Sequence, residues 1–236
     1  MVVLSKLCCR IIYLSIMFIE KITPEASPEN DVFADIPQLL AEHGWCVTPR
    51  FLSPQLINQL AGELRDGSQA GDFHQAGIGR GADHQIDSAV RTDRVCWLDS
   101  EDSSPAQREY LNLLESLRLS LNRSLFLGLF EFEGHMALYP PGSYYRKHLD
   151  QFKGVEQRIV TCILYLNQDW QVADGGQLRL YTDPDNPSLY EEILPIGGQL
   201  VSFFSARFLH EVMPARRDRQ SITGWFKTRQ SPIDIS

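Results

Sequence analysis

Three residues in the second half of the chain have the types and spacing to hold a metal ion. His148 and Asp150 are separated by one residue, and His210 follows an apolar, strand-like run at 199–204. Alternate side chains of a strand point to the same face, so His148 and Asp150 would face one site. Two histidines and one carboxylate are the ligand set of non-haem iron(II) sites with open coordination positions. We therefore predict that these three residues bind Fe(II).

An arginine further along the chain suggests what would bind beside the metal. Arg219, Ser221, Thr223 and Trp225 alternate along a predicted strand, so they share one face. A guanidinium buried among small and aromatic side chains is costly unless an anion neutralises it. One carboxylate of a dicarboxylate would do so, because it accepts two parallel hydrogen bonds from the guanidinium. The alternative is an exposed arginine within the basic run at 216–219.

The elements that would position these residues change in character along the chain. Apolar residues at helical spacing, a Ser-Pro start at Ser53 and a C-terminal cap at Gly44 mark helices in the first half. Short β-branched and aromatic runs dominate after residue 130. We predict helices over 33–43, 55–65 and 107–121, and strands over 45–47, 95–98, 136–139, 159–167, 177–181, 199–204 and 221–226. Helices followed by strands predict an α+β fold with a barrel or double-sheet jelly roll.

Residues 67–89 are rich in glycine and polar residues and show little periodicity. A segment of this length without its own pattern is typical of a functional loop. Gly77, Gly79 and Gly81 are reminiscent of phosphate-binding loops, but the required strand before them and helix after them are missing. We therefore predict a functional loop here and no nucleotide site.

Composition sets outer limits on the kind of protein. The chain has 236 residues and a formal net charge of −8, which fits one domain and argues against broad nucleic-acid binding. Its five cysteines are an odd number without metal-like spacing, as expected of free thiols in a reducing cytosol. The apolar run at 11–19 is too short to span a membrane. We expect a cytoplasmic protein with an N-terminal extension at 1–32, one domain at 33–230 and a tail at 231–236.

Long segments surround the candidate ligands in a fixed order. They are YPPGSYYRKHLD (139–150), RIVTCILYLNQDW (158–170), GGQLRLY (175–181) and HEVMPARRDRQSITGWF (210–226), preceded by AGIGR (76–80) and RTDRVCWL (91–98). These segments resemble the prolyl 4-hydroxylase family of iron(II)- and 2-oxoglutarate-dependent oxygenases. Within that family they are most similar to the branch of the hypoxia-factor prolyl hydroxylases and their bacterial relatives. The resemblance covers residues 33–229.

The resemblance implies a double-stranded β-helix core, of the jelly-roll or cupin type, with N-terminal supporting helices. It also implies a role for individual residues. Fe(II) would be held by His148, Asp150 and His210, and 2-oxoglutarate by Arg219, Tyr165, Tyr139, Thr223 and Trp225. Substrate would be bound by Arg158, Arg91 and Asp93, for which a surface salt bridge is an equally good interpretation. The 67–89 segment matches a loop that closes over the peptide in this branch.

The implied reaction is hydroxylation of a prolyl residue in a protein, with O₂ as cosubstrate and succinate and CO₂ as products. L-Ascorbate is the implied reductant, and a component of translation is the implied class of partner. Asp150 favours hydroxylation over halogenation, because halogenating relatives lack this carboxylate. Two alternatives stay open at this point: the same chemistry on a small molecule or another residue type, and a non-catalytic metal-binding module of the same fold.

Overall fold

The computed structural model describes four stretches of the chain: residues 35–78, 85–99, 101–151 and 156–229. All of them belong to one compact unit, Phe33–Ser236. The predictions for the extension at 1–32, the tail at 231–236 and the glycines at 79 and 81 lie outside the described residues. Within the described stretches, no helix combines the length and apolar character needed to cross a membrane.

The helices are α1 (Asp35–His43), α2 (Pro54–Ala70) and α3 (Pro105–Leu125), with a short 3-10 helix at Val172–Asp174. Helices α2 and α3 begin where the sequence provides a side-chain cap. Ser53 accepts a hydrogen bond from the backbone N–H of Leu56 (3.2 Å), and Ser104 accepts one from Gln107 (3.0 Å). In both helices a proline occupies the first turn, where its missing N–H costs nothing. The predicted start of α2 at Ser53-Pro54 is confirmed.

Eleven strands form two antiparallel sheets within the described residues. The larger sheet has the order β1-β9-β6-β11-β4-β3-β2 and the smaller one the order β5-β10-β7-β8. The strands are β1 (Trp45–Thr48), β2 (His74–Gln75), β3 (Arg94–Trp97), β4 (Glu131–Tyr139), β5 (Tyr145–His148), β6 (Arg158–Tyr165), β7 (Leu178–Tyr181), β8 (Tyr190–Ile193), β9 (Leu200–Phe204), β10 (His210–Val212) and β11 (Arg219–Lys227). The α+β prediction is confirmed.

Strand β11 lies at the centre of the larger sheet, between β4 and β6. Its register runs from Arg219 opposite Tyr139 to Lys227 opposite Glu131. Because side chains alternate, one face of the sheet packs against the helices and the other faces the smaller sheet. Ile222 and Phe226 belong to the apolar cluster shared with the helices. The opposite face carries the alternating set predicted from the sequence: Arg219, Ser221, Thr223 and Trp225.

Two differences between the predicted and the observed elements bear on the site. Helix α2 continues to Ala70, and β2 pairs with β3, so the first part of the glycine-rich 67–89 segment is regular structure. Strand β5 ends at His148, and Asp150 lies in a bend beyond it. The prediction that His148 and Asp150 alternate on one strand is therefore wrong in its local geometry, although the two side chains still approach each other.

Candidate active site

The predicted metal ligands converge where two strands of the smaller sheet meet. His148 ends β5 and is the direct cross-strand partner of His210, which begins β10. Asp150 follows two residues later, so its carboxylate reaches the same point from the bend. One candidate ligand atom from each of the three residues lies within 4.8 Å of the others. This spacing is compatible with a single metal ion between them.

Both imidazoles are oriented by their own backbone. Nδ1 of His148 lies 2.7 Å from the carbonyl oxygen of Arg146, and Nδ1 of His210 lies 3.1 Å from that of Phe208. The carbonyls can only accept, so each Nδ1 carries the proton and donates it, leaving Nε2 free as a ligand. The two Nε2 atoms face Asp150 at 3.4 and 3.6 Å. Burial, reinforced by His148, lowers the pKa of His210 to about 4, which keeps its ring neutral.

Asp150 is 6% exposed, and its carboxylate is oriented by a chain of two hydroxyl groups. Thr161, on β6, donates a hydrogen bond of 2.8 Å to Oδ2 of Asp150. Ser205 lies 2.9 Å from the same threonine hydroxyl. Burial alone would raise the pKa of Asp150, but His210 and His148 outweigh it and hold the pKa well below its usual range. The group is therefore a carboxylate, as a metal ligand must be.

A second charged group of the site lies at the start of β11. Arg219 is 1% exposed and forms no ion pair with any carboxylate in the described part of the chain. Its Nε donates to the carbonyl oxygen of Gly176 (2.9 Å), whereas Nη2 has no partner among the described residues. The rings of Tyr139 and Tyr165 each lie 5.0 Å from the guanidinium carbon. A buried cation with a free N–H indicates a site for an anion.

Gly176 makes this arrangement possible. Its φ is +70°, and a Cβ at this position would lie 3.3 Å from Cδ of Arg219 and 3.1 Å from the Trp170 ring. A side chain here would therefore both strain the backbone and press on the arginine. The hydroxyl of Tyr165, fully buried beside Arg219, also has no partner among the described residues. Two unsatisfied polar groups at one point reinforce the indication of an anion site.

A cavity of about 370 Å³ contains both groups of residues. Its wall includes the three candidate ligands as well as Arg219, and its size is within the range of small-molecule sites. Other predicted site residues in the wall are Tyr139, Thr223, Trp225, Arg158 and Arg91. The structure thus places a metal-binding group and an anion-binding group in one cavity, as a metal-chelating dicarboxylate would require.

Comparison with known proteins gives the same assignment. Residues 134–227 match the family model described as the 2OG-Fe(II) oxygenase superfamily. A Pseudomonas putida prolyl-4-hydroxylase has a similar structure, with a TM-score of 0.75 and 40% identity over 84% of this chain and 99% of that one. The chain belongs to the prolyl hydroxylases of this superfamily. The oxygenase accordingly has the double-stranded β-helix core of the family, as predicted.

Two further proteins are similar to this chain. A Trichoplax adhaerens prolyl hydroxylase, solved in complex with a hypoxia inducible factor peptide fragment, gives a TM-score of 0.71 and 29% identity over 81% of this chain and 87% of that one. Human Egl nine homolog 1 is 33% identical over 196 residues, which is 78% of this chain. The match spans 44% of the human protein, so the oxygenase corresponds to less than half of that relative.

The residues present fit the cofactors of the family. The donor set of His148, Asp150 and His210 suits Fe(II), and the unpaired guanidinium of Arg219 suits the far carboxylate of 2-oxoglutarate. O₂ is the other cosubstrate of such enzymes. The oxygenase therefore contains the groups that both cofactors need, in one cavity.

Of the three residues predicted to bind substrate, two line the cavity and one lies behind its wall. Arg91 forms two hydrogen bonds with Asp93, at 2.8 and 2.6 Å, and its guanidinium lies over the Tyr145 ring. Asp93 is fully buried, so it holds Arg91 and does not itself face the cavity. Arg158 lies 3.4 Å over the Trp225 ring and pairs with Glu133 at 2.8 Å. Both arginines therefore line the cavity with their charge already paired.

Some functional groups escaped prediction from the sequence. Thr161 supports a metal ligand, but the sequence predicted only that it lies within the strand at 159–167. Tyr145 stacks on His148 with ring centroids 3.6 Å apart, which fixes the ring plane of that ligand. His135 lies in the cavity wall, whereas in the sequence it is only one of six histidines. Each depends on contacts between strands, and no signal short of the strand register would have revealed them.

Proposed function

We propose that the oxygenase hydroxylates a prolyl residue of a protein, at C4, using 2-oxoglutarate and O₂. One oxygen atom enters the substrate as hydroxyl and the other enters succinate, with release of CO₂. The observation that carries the proposal is the buried, unpaired guanidinium of Arg219 in the same cavity as His148, Asp150 and His210. The 40% identity to the Pseudomonas putida prolyl-4-hydroxylase supports the prolyl substrate.

The proposed roles of the protein groups follow from their positions. His148, Asp150 and His210 would hold Fe(II), which when bound would activate O₂ for the replacement of an unactivated C–H bond by C–OH. Arg219 binds the C5 carboxylate of 2-oxoglutarate, and the hydroxyl of Tyr165 donates to the same carboxylate. The remaining cosubstrate contacts are assigned to Tyr139, Thr223 and Trp225. Held at its far end, the cosubstrate is directed towards the metal site.

Substrate binding is assigned to the paired arginines at the cavity wall. The guanidinium of Arg158 is stacked on the Trp225 ring, and that of Arg91 is stacked on the Tyr145 ring, so both are held in place before substrate binds. Asp93 acts by fixing the orientation of Arg91. Such restrained groups lose little conformational entropy when substrate binds, which favours affinity. A proline ring between aromatic side chains would also be shielded from water.

The setting of the enzyme is part of the same proposal. We infer that residues 33–230 work as one oxygenase domain in the cytoplasm, that L-ascorbate serves as reductant, and that the protein partner is a component of translation. The unpaired Cys46, Cys96 and Cys162 of the described chain fit a reducing compartment. The hypoxia-factor peptide bound by the Trichoplax adhaerens relative supports a peptide substrate.

The test is mass spectrometry of the proteome with and without this gene, followed by turnover of synthetic peptides. Prolyl peptides from the substrate should gain the mass of one oxygen atom only when Fe(II), 2-oxoglutarate and O₂ are present. The His210→Ala variant should give no hydroxylation, because it loses a metal ligand. Stimulation of 2-oxoglutarate decarboxylation by a metabolite, with no response to any prolyl peptide, would show that the substrate is a small molecule.

A further inference from the structure

The wall of the active-site cavity contains a buried histidine for which the roles proposed above have no use. His135, on β4, is 4% exposed. In the sheet it lies directly between Trp97 of β3 and Thr223 of β11, on the face that lines the cavity. It is therefore a polar side chain built into the same space as the metal and anion sites.

Its imidazole makes no hydrogen bond to any residue that the structure describes. Nδ1 is fully buried without a partner, and the ring contacts are aromatic. The Trp97 ring lies at 5.0 Å, edge to face, and the Trp225 ring lies at 5.6 Å. Buried polar groups are nearly always hydrogen-bonded, so an exception inside a binding cavity indicates that the ligand supplies the partner.

The ring is neutral. Burial lowers the pKa of His135 to about 3, and the positive charges of Arg91 and Arg158 act in the same direction. A neutral imidazole has one nitrogen that donates and one that accepts. It is therefore suited to a neutral polar group, such as a peptide group, and gives no charge attraction to a carboxylate.

The position of His135 separates it from the anchor of the cosubstrate. Its neighbour Thr223 is four residues from Arg219 along β11, which corresponds to about 13 Å of strand. On the other side, Trp97 is 47% exposed and marks the rim of the cavity. His135 thus lies away from the Arg219 anchor and beside the exposed Trp97, on the side from which the substrate would enter.

We propose that His135 is a specificity-determining residue that hydrogen-bonds one peptide group of the prolyl substrate, laid between the rings of Trp97 and Trp225. The inference rests on the proposed function and adds the chemical group of the substrate that His135 recognises. A peptide group offers an N–H and a C=O, so it satisfies the imidazole nitrogen that faces it. Arg158 is stacked on Trp225 and so restrains the ring on one side of the proposed peptide position.

The test compares His135→Met with His135→Asn. Methionine fills similar space without a hydrogen-bonding nitrogen, whereas the asparagine amide has a polar atom near the position of Nδ1. The probe is an N-acetylated, C-amidated synthetic peptide spanning the prolyl residue identified by mass spectrometry. Its Kd is measured by tryptophan fluorescence on the Mn(II)-substituted enzyme with 2-oxoglutarate bound. The KM values for the peptide and for the cosubstrate are measured on the Fe(II) enzyme.

His135→Met should raise the peptide Kd and the peptide KM about ten-fold, the effect of one lost hydrogen bond to a buried group. The cosubstrate KM and the uncoupled decarboxylation of 2-oxoglutarate should not change. His135→Asn should recover most of the peptide affinity, and His43→Met, at an exposed histidine, should behave as the unmodified enzyme.

Two results would overturn the inference while leaving prolyl hydroxylation intact: an unchanged peptide Kd in His135→Met, or a rise in the cosubstrate KM instead. Failure of the unmodified enzyme to hydroxylate any prolyl peptide is a distinct result. It would overturn the proposed function, and this inference with it.

Discussion

The hydroxyl of Thr161 donates a hydrogen bond of 2.8 Å to Oδ2 of Asp150. A threonine hydroxyl has one proton, so the contact of 2.9 Å with Ser205 must have the serine as donor. Hydrogen bonds are therefore donated in one direction, from Ser205 to Thr161 and from Thr161 to Asp150. All three are buried, and the chain connects β6 and the end of β9 to the metal site. The orientation of the carboxylate is therefore set by the larger sheet, although the histidine ligands belong to the smaller one.

Thr161→Val should weaken metal binding without unfolding the protein. Valine has nearly the same shape but cannot donate to Asp150, and loss of a partner to a metal ligand typically reduces affinity about 10- to 100-fold. The measurement is an anaerobic titration with Mn(II) or Fe(II), with thermal unfolding of the metal-free protein as a check on folding.

Ser205→Ala is the matched control for this chain of hydroxyls. It removes the second link and leaves Thr161 able to donate to Asp150, so its effect on metal affinity should be smaller. Equal metal affinity of Thr161→Val and the unmodified protein would mean that the carboxylate needs no support from β6.

Arg219→Ala should act on the cosubstrate and leave metal affinity unchanged. Removal of a charge-assisted pair of hydrogen bonds costs about 1.5–3 kcal/mol, which corresponds to a rise of roughly 10- to 100-fold in the cosubstrate KM. Steady-state assays of succinate formation at varied 2-oxoglutarate provide the measurement. Arg217→Ala is the control, because Arg217 is two residues away and partly exposed. A normal cosubstrate KM in Arg219→Ala would refute the assignment of the anion site.

Glu133 should contribute a pH-dependent part of the stability. Burial favours a raised pKa, but hydrogen bonds from Lys227 and Arg158 prevail and lower the pKa of Glu133. A carboxyl group with a lowered folded-state pKa stabilises the protein above its unfolded pKa, near ~4.3, and loses this contribution as the pH falls through the folded value. Glu133→Gln should therefore lower the free energy of unfolding by about 1 kcal/mol at neutral pH and by progressively less in acid.

Urea unfolding at a series of pH values measures this difference. Glu131→Gln is the matched control, because Glu131 pairs with the same Lys227 but is more exposed. Its effect should be smaller at every pH. If Glu133→Gln lowered the free energy of unfolding by the same amount at every pH, the charge of the Glu133 carboxylate would not contribute to stability.

Removal of the metal should loosen one sheet selectively. His148 and His210 are cross-strand partners on β5 and β10, so a bound ion links these short strands to each other and to Asp150. Chelation should speed amide exchange in β5 and β10 and spare β4, β6 and β11. The metal should also add about 2.7 kcal/mol to the free energy of unfolding when it is roughly 100-fold above its Kd. Uniform exchange across both sheets would contradict this expectation.

Period-two patterns explain why part of the site was visible in the sequence. Strand β11 is long, and its inward and outward residues differ in type, so the shared face of Arg219, Ser221, Thr223 and Trp225 was predicted correctly. The strand predicted at 159–167 corresponds to β6 for the same reason. The helix starts were also predictable, because serine and proline have specific roles at a helix N-terminus.

The remaining features depend on contacts that local patterns do not encode. Strand β10 has three residues and β5 is mostly polar, so neither has a clear strand pattern. Gly62 and Gly67 weaken the helical pattern near the end of α2, yet tertiary packing carries the helix on to Ala70. The setting of His135 arises from the register of β3, β4 and β11, which only the folded sheet defines.

The position of β11 between β4 and β6 determines which parts of the cavity can change independently. A shift of one residue in this strand would turn Arg219 and Thr223 towards the helices, so a one-residue insertion or deletion there would remove both from the cavity. Strands β2 and β3 lie at the edge of the same sheet and contribute His74 and Trp97 to the cavity. A substitution at this edge would therefore reshape the wall of the cavity without moving the residues held at the centre of the sheet.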